Sequence, residues 1–455
     1  MILGPSRTAH TLRRSATGQI PPCRHGSVGG RPGRVKGAVG DGVNLGILGH
    51  MKLRLRDLGP GIVIAATGLG AGDLIAASVA GAKYGIAILW AALVGALLKF
   101  TLNEGLARWQ LATGTTLLEG WVRRLPRFWS WYFFVYLLLW SFIVAGALMA
   151  ATGLALHALV PAISVELGGA VQSLLAAVLV LLGRYRLLEV MMKFFIALMF
   201  AVVLYCAFAL QPDWGAVAAA ILVPRLPEGS VFFLLGIIGG VGGSVTLLSY
   251  GYWIRERGWR GPEHLAQVRI DLLVAYALTA LFGMAIMIIS AGVSPTVMSG
   301  SQMVLAVADQ MALTVGELGK WCFLIGFWGA VFSSMLGVWQ GVPYLFADFM
   351  HEWRDKDGDK VIDTASVPYR AYLAFLALPP MVLLWLGKPV WVVLIYSVAG
   401  AAFMPLLAGL LFYMNGLRTW LGGLRNRWPA NLALLAALAL FAALFIQKLL
   451  ETLKP

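Results

Sequence analysis

The sequence predicts an all-α polytopic membrane protein with about eleven transmembrane helices, ten of them forming two inverted repeats of five. Three observations carry this prediction. Of 455 residues, 60% are hydrophobic and 12% charged, against about 25% charged in a soluble domain, and mean hydropathy is +0.81. Lys and Arg crowd into alternate loops. Two spans, five apart, are interrupted by glycine at mid-membrane.

Residues 1–56 are rich in Gly, Arg, Pro and Ser and have no apolar run, so they read as a disordered basic extension with no signal-peptide core. Met51 stands just before the first span and is the expected alternative start. Residues 57–455 then form a single transmembrane domain. Apolar runs near the ~20 residues that a bilayer requires fall at 59–82, 86–108, 131–156, 168–183 and 187–210 in the first repeat (59–210). The second repeat (231–414) holds 231–253, 270–292, 318–349, 369–387 and 390–414, and an extra helix follows at 429–450.

Loop charges test the count and set the orientation. With the N-terminus in the cytoplasm, the inside loops contain Arg123, Arg124 and Arg127; Arg184 and Arg186; Arg255, Arg257, Arg260 and Arg269; Arg354, Lys356 and Lys360; and Arg418, Arg425 and Arg427. The outside loops contain Lys83, Arg225 and Lys388. The net charge of +14 therefore follows the positive-inside rule. With no soluble basic domain, nucleic acid is not an expected partner; the expected partners are the lipid bilayer and a small solute, with no obligate protein partner. A bacterial inner membrane is the simplest setting.

The first span reads Gly59-Pro60-Gly61 through Gly68-Leu69-Gly70-Ala71-Gly72-Asp73, and the sixth Gly236-Ile237-Ile238-Gly239-Gly240-Val241-Gly242-Gly243-Ser244-Val245-Thr246. A carboxylate at the bilayer centre costs roughly 2.5–3.5 kcal/mol on insertion scales, and irregular backbone survives there only inside protein or beside a cavity. Glycines in membrane helices also serve close packing. Two interrupted helices at corresponding positions favour instead a binding site at the midplane.

Along residues 55–420 the chain resembles the Nramp family of divalent-metal transporters. The residues that carry the resemblance are Gly59-Pro60-Gly61 through Gly81-Ala82-Lys83-Tyr84-Gly85, Leu111-Ala112-Thr113-Gly114 with Leu117-Leu118-Glu119, Gly236-Ile237-Ile238-Gly239, Ser333-Ser334 with Gly337 and Gly341, and Pro405-Leu406-Leu407 with Phe412 through Asn415. The resemblance implies a LeuT-type fold, 5+5 inverted repeats with broken helices 1 and 6, and transport by alternating access. The signature residues differ. Where the family carries Asp-Pro-Gly-Asn, this chain has Gly70-Ala71-Gly72-Asp73. Where it carries Met-Pro-His, this chain has Gly243-Ser244-Val245. The family's third-helix acids, tied to proton passage, are absent, since residues 131–156 contain no Asp, Glu or His.

Donor chemistry then points to a hard cation. Without thioether and imidazole, a site of Asp73, the hydroxyls of Thr67, Ser244 and Thr246 and free carbonyls beside Gly70 and Gly243 is built from oxygen and suits Mg²⁺ or Mn²⁺. Asp73 is the one expected metal ligand, and proton coupling is expected to be weak or absent. Gly70, Gly243 and Ser244 also remove bulk and soft ligands and so enlarge the site, which suits a small organic solute or amino acid, and helix N-termini at the breaks favour an anionic group. A third alternative is a non-transporting sensor or scaffold. No cofactor is expected beyond the cation as cargo.

Glu104 and Arg108, at i and i+4 in the second span, are candidates for a gate or proton relay, beside Lys99 and Asn103; the alternative is a paired cluster at the helix end. Ser333, Ser334, Trp339 and Gln340 read as packing residues of the eighth span, Tyr250 and Tyr252 as interface aromatics, Trp129 and Trp131 as an aromatic belt, and Arg255-Glu256-Arg257 as solvated. His157 and His264 fall near span ends. Cys23, Cys206 and Cys322 form no metal or disulfide pattern. The stretch 351–359 has the composition of a calcium loop without its register. With no phosphate-binding loop, HExxH motif or nucleophile–base set, neither an ATP-driven pump nor an enzyme is supported. If Met51 is the start, N-terminal sequencing of the native protein finds no residue upstream of it; finding such residues overturns the assignment.

Overall fold

The computed structural model describes residues 60–61, 70–182, 185–240, 244–293, 302–354 and 364–453, all within one compact unit, Arg54–Pro455. The basic extension 1–56 and most of the calcium-like stretch lie outside the described residues. Every described regular element is helical, and the α-helices of eight residues or more are α1 (Ala71–Tyr84), α2 (Trp90–Thr113), α3 (Leu117–Arg124), α4 (Arg127–Leu159), α5 (Val165–Leu182), α6 (Tyr185–Ala209), α7 (Trp214–Leu222), α8 (Val231–Gly240), α9 (Ser249–Glu256), α10 (Leu265–Ser290), α11 (Met303–Arg354), α12 (Val367–Ala377), α13 (Pro389–Gly416) and α14 (Trp428–Leu453).

Each expected span meets a helical element, but not all are simple rods. Among the described residues seven helices are long and apolar enough to cross a bilayer, or eight if Phe200–Ala209 and Trp214–Leu222, bent by 119°, make one span. The others fall short for physical reasons. The second span carries Lys99, Glu104 and Arg108. The sixth is cut into α8 and α9. The described helix of the first span resumes only at Ala71. The ninth span is α-helical to Ala377 and continues as a 3-10 segment, Pro379–Leu386, because Pro379 and Pro380 have no N–H to donate. The eighth is preceded by a further apolar helix, Met303–Leu313, joined through Gly316 at φ 76°, a backbone conformation that favours glycine. Neither this helix nor α3 or α7 was expected.

The packing follows the inverted repeat. Exchanging each span with its mate five positions later sends α2 to α10 and α4 to α11, and each pair packs on itself. The contact of α1 with α10 becomes that of α8 with α2. Likewise α6 on α11 becomes α13 on α4, and α4 on α5 becomes α11 on α12; all six contacts are present. Helix α14 packs on α13 outside this symmetry and is mostly exposed, with 22% of its most apolar 18-residue stretch within Trp428–Gln447 buried.

Glycines set the closest approaches. A Cβ at Gly239 would stand 2.6 Å from Ala401 Cβ and 2.7 Å from Ala401 N, so α8 lies directly on the backbone of α13. At Gly409, also in α13, a Cβ would meet nothing within 4 Å. Gly239→Ala is expected to destabilise by about 1–3 kcal/mol, the range for overpacking. Gly409→Ala is expected to be neutral or stabilising by about 0.5–1 kcal/mol, because alanine loses less backbone entropy. Thermal unfolding in detergent separates the two, with midpoint shifts of opposite sign or one near zero.

Candidate functional site

The two interruptions lie on neighbouring elements, since α1 packs against α8. In the first span Gly70 caps α1 without a side-chain bond, and its carbonyl accepts from Leu74 N at 3.1 Å. Asp73 is the third residue of α1, where a carboxylate is favoured by the helix N-terminus as well as by any bound cation. Thr67 and Gly243 lie outside the described residues. In the sixth span α8 ends at Gly240 and helix resumes as a 3-10 turn, Val245–Leu248. Ser244 between them has φ −129° and ψ −95°. Its side chain is buried against α13, with a Cβ at Gly400 standing 2.9 Å from Ser244 Cβ, and its hydroxyl has no partner among the described residues. Thr246 is also buried. The break therefore offers a buried hydroxyl that meets no partner among the described residues.

One charge at this break was not anticipated. Lys99 of α2 is fully buried, and its Nζ donates to Gly239 O at 2.8 Å. Gly239 lies in the last turn of α8, whose carbonyls have no helical partner, and the cation complements the negative end of the half-helix dipole.

At the basic end of the bundle, α9 is held by side chains from four helices. Tyr250 donates to Asp271 Oδ2 of α10 at 2.9 Å, and the same oxygen accepts from Gly61 N at 2.6 Å. Tyr252 donates to Asp348 Oδ2 of α11 at 2.6 Å, and Thr116 Oγ1 donates to that oxygen at 3.1 Å. Trp253 Nε1 donates to Gln340 Oε1 at 2.8 Å, and Gln110 Nε2 to Gly251 O at 2.7 Å. Arg255 Nη2 meets Glu119 Oε1 at 2.9 Å. Thr116 and Glu119 are themselves the capping box of α3, which satisfies two orphan donors at its start. Arg123 fixes α3 to Glu352 with bonds of 2.5 and 2.7 Å.

These contacts correct several expectations. Tyr250 and Tyr252 are buried hydrogen-bond donors rather than interface aromatics. Arg255 is ion-paired rather than merely solvated. Gln340 ties α11 to α9, and Ser333 donates to Ala330 O within its own helix at 2.8 Å. Glu104 and Arg108 do pair, at 3.3 Å, but the shorter contacts of Glu104 are to Arg269 Nε and Nη2 at 2.9 and 2.8 Å. Arg108 Nη2 donates to Asn426 Oδ1 at 2.7 Å. The pair is thus part of a bridge from α2 to α10 and to the chain entering α14. Asp271 and Asp348 were missed although the signal was present: each is an acid inside a predicted span, which by itself marks a buried, partnered group. Trp131 is half exposed, as a belt residue should be. His157 is bonded to Ile163 O and His264 to Arg260 O. Cys206 and Cys322 are free. Among the described residues no three of His, Cys, Asp and Glu come together as metal ligands.

A sixth span broken between Gly240 and Val245, inside two sets of five helices whose contacts exchange, fits a LeuT-type membrane protein. Solved structures of this fold agree. A manganese transporter of Eremococcus coleocola superposes with a TM-score of 0.67 over 85% of this chain and 84% of its own, at 16% identity. MhsT in complex with L-phenylalanine superposes with a TM-score of 0.51 over 83% and 97%, also at 16% identity. The family described as "Natural resistance-associated macrophage protein-like" matches residues 61–451, and the chain belongs to this Nramp family. Similar curated proteins include an uncharacterized protein of Pasteurella multocida, 26% identical over 58% of this chain and 63% of its own length. A divalent metal cation transporter, MntH, of Yersinia pestis is 25% identical over 52% of this chain and 58% of its own. The matches thus span about three fifths of these relatives.

Tyr250→Phe and Tyr252→Phe each remove a phenolic donor from a buried carboxylate. Each is expected to cost about 1–3 kcal/mol, the penalty for leaving a buried polar group short of a partner, read as a lower unfolding midpoint in detergent. An unchanged midpoint for both would mean that the phenols do not hold α9.

Proposed function

We propose that the protein carries a small solute across the bilayer by alternating access, with the solute bound between the breaks of the first and sixth spans, and that the solute is a hard divalent cation such as Mg²⁺ or Mn²⁺. Family membership supports transport as the activity. The proteins it resembles include ones named as divalent metal cation and manganese transporters. The observation that carries the cation reading is the donor set. Asp73 is the third residue of α1, and at the break of the sixth span lie Ser244, whose hydroxyl has no partner among the described residues, and buried Thr246. Oxygen donors without thioether or imidazole favour hard cations that keep some of their water.

In this reading the basic end faces the cytoplasm by the positive-inside rule, with the N-terminus on the same side and a bacterial inner membrane as the setting. The tyrosine and arginine bonds that hold α9 keep the cytoplasmic path shut, and breaking them releases the cargo. With no acid or histidine in residues 131–156, cation movement is not tied to a proton relay through the third span.

One observation favours a second cargo. The Lys99 ammonium on Gly239 O repels a dication and attracts a carboxylate, so an amino acid or other small anionic solute is the second reading. Calorimetry on detergent-purified protein with Mg²⁺, Mn²⁺ and Ca²⁺ tests the first. Saturable binding weakened at least about tenfold in Asp73→Ala, equivalent to about 1.4 kcal/mol, is expected. Binding unchanged by the substitution removes Asp73 from the site. No metal binding, together with amino-acid binding lost in Lys99→Met, makes the second reading correct.

A further inference from the structure

A cavity of about 350 Å³ opens at the basic end, between the last turns of α2, the start of α10 and the chain that enters α14. Arg108, Arg269, Arg425 and Arg427 line it, with Glu104 as its one acid. Four guanidiniums against one carboxylate leave a formal excess of three positive charges. Glu104 is already shared by Arg108 and Arg269. The Arg108 side chain is 6% exposed, and its Nε contacts Glu104 at 3.3 Å without hydrogen-bond geometry. Its other nitrogens are held by Leu424 O and Asn426 Oδ1, which fixes its direction. Arg425 and Arg427 are exposed and meet no carboxylate among the described residues.

Desolvated or clustered guanidiniums at this density need an anion, and their planar forks match phosphate oxygens in pairs. The place adds a second argument. The cavity lies beside the first turn of α14, a helix that is mostly exposed, and Trp428 in that turn is 77% exposed. Tryptophan at the end of a lipid-facing helix marks headgroup depth. Leu432 and Leu435, one turn further into the membrane, are exposed as well. Basic pockets between transmembrane helices at this depth suit phosphate headgroups.

We infer that this cavity is a binding site for a phosphate-bearing anion, either the headgroup of an anionic phospholipid or a soluble phosphate, held by Arg108, Arg269, Arg425 and Arg427. The bound anion would bridge α2, α10 and the segment entering α14, and so tie the extra helix to the two-repeat core. This is independent of which solute the protein carries.

The test uses the full chain in a neutral detergent. Thermal unfolding is followed against added phosphatidylglycerol, phosphatidylcholine and, separately, inorganic phosphate. Phosphatidylglycerol is expected to raise the midpoint where phosphatidylcholine does not, and Arg425→Ala with Arg427→Ala is expected to raise the half-effective concentration at least tenfold. Both side chains are exposed, so the unliganded midpoint should stay in place; Arg425→Gln with Arg427→Gln is the second variant should it fall. Arg127→Ala, an exposed arginine elsewhere on the same end, should leave the response intact. A response to phosphatidylglycerol alone identifies a lipid headgroup, and a response to inorganic phosphate that is lost in the same variants identifies a soluble anion. Equal responses in wild type and both double variants, equal loss in Arg127→Ala, or no response to either anion overturns the site.

Discussion

Broken backbone at bilayer depth must find its hydrogen bonds inside the protein, because lipid offers none. Several of the buried polar side chains take backbone groups of neighbouring helices. Lys99 takes the carbonyl of Gly239 at the end of α8, Asp271 takes the N–H of Gly61, and Gln110 takes the carbonyl of Gly251 in α9. Asn415 of α13 serves α2 in the same way, donating to Gly105 O at 2.8 Å. Each bond joins a different pair of helices, so the groups that make the interruptions tolerable also set how the interrupted helices lie against their neighbours.

The two halves of the sixth span are held in different ways. Half-helix α8 is pressed onto α13 through Gly239, backbone against backbone, where no rearrangement is possible without separating the helices. Half-helix α9 is held through side-chain tips: two phenols, one indole and one guanidinium. Bonds of that kind break and reform with rotamer changes, whereas close packing of the first kind behaves as a rigid body. The asymmetry gives the molecule a closely packed half and a side-chain-tethered half on the two sides of one break, which suits the alternating access proposed above.

Two of the departures from the family's signature residues lie at the breaks, and the third, the loss of acids in residues 131–156, lies in the third span. Gly70 stands at the cap of α1 and Ser244 at the turn into the sixth span's second half. The frame that positions them rests on glycine contacts and buried polar ties distributed over many helices. The site can therefore change its donors while the fold stays that of the family, and similarity of fold does not transfer the cargo.

The sequence by itself determined the class, the spans and the breaks. Apolar length, loop charge and glycine interruption are local properties, each readable within about twenty residues. It also named Thr67, Gly70, Asp73, Gly243, Ser244 and Thr246 as a candidate site, and it made legible the Glu104–Arg108 pair, which is a contact of neighbours on one helix. Only the tertiary structure decided the rest. Arg269 meets Glu104 across 165 positions of sequence, Asp348 meets Thr116 across 232, and Asp271 meets Gly61 across 210. No periodicity records such distances. The pairing arises because the inverted repeats bring α2, α9, α10 and α11 to one end of the bundle, where a buried charge is stable only beside the particular partner that the fold delivers.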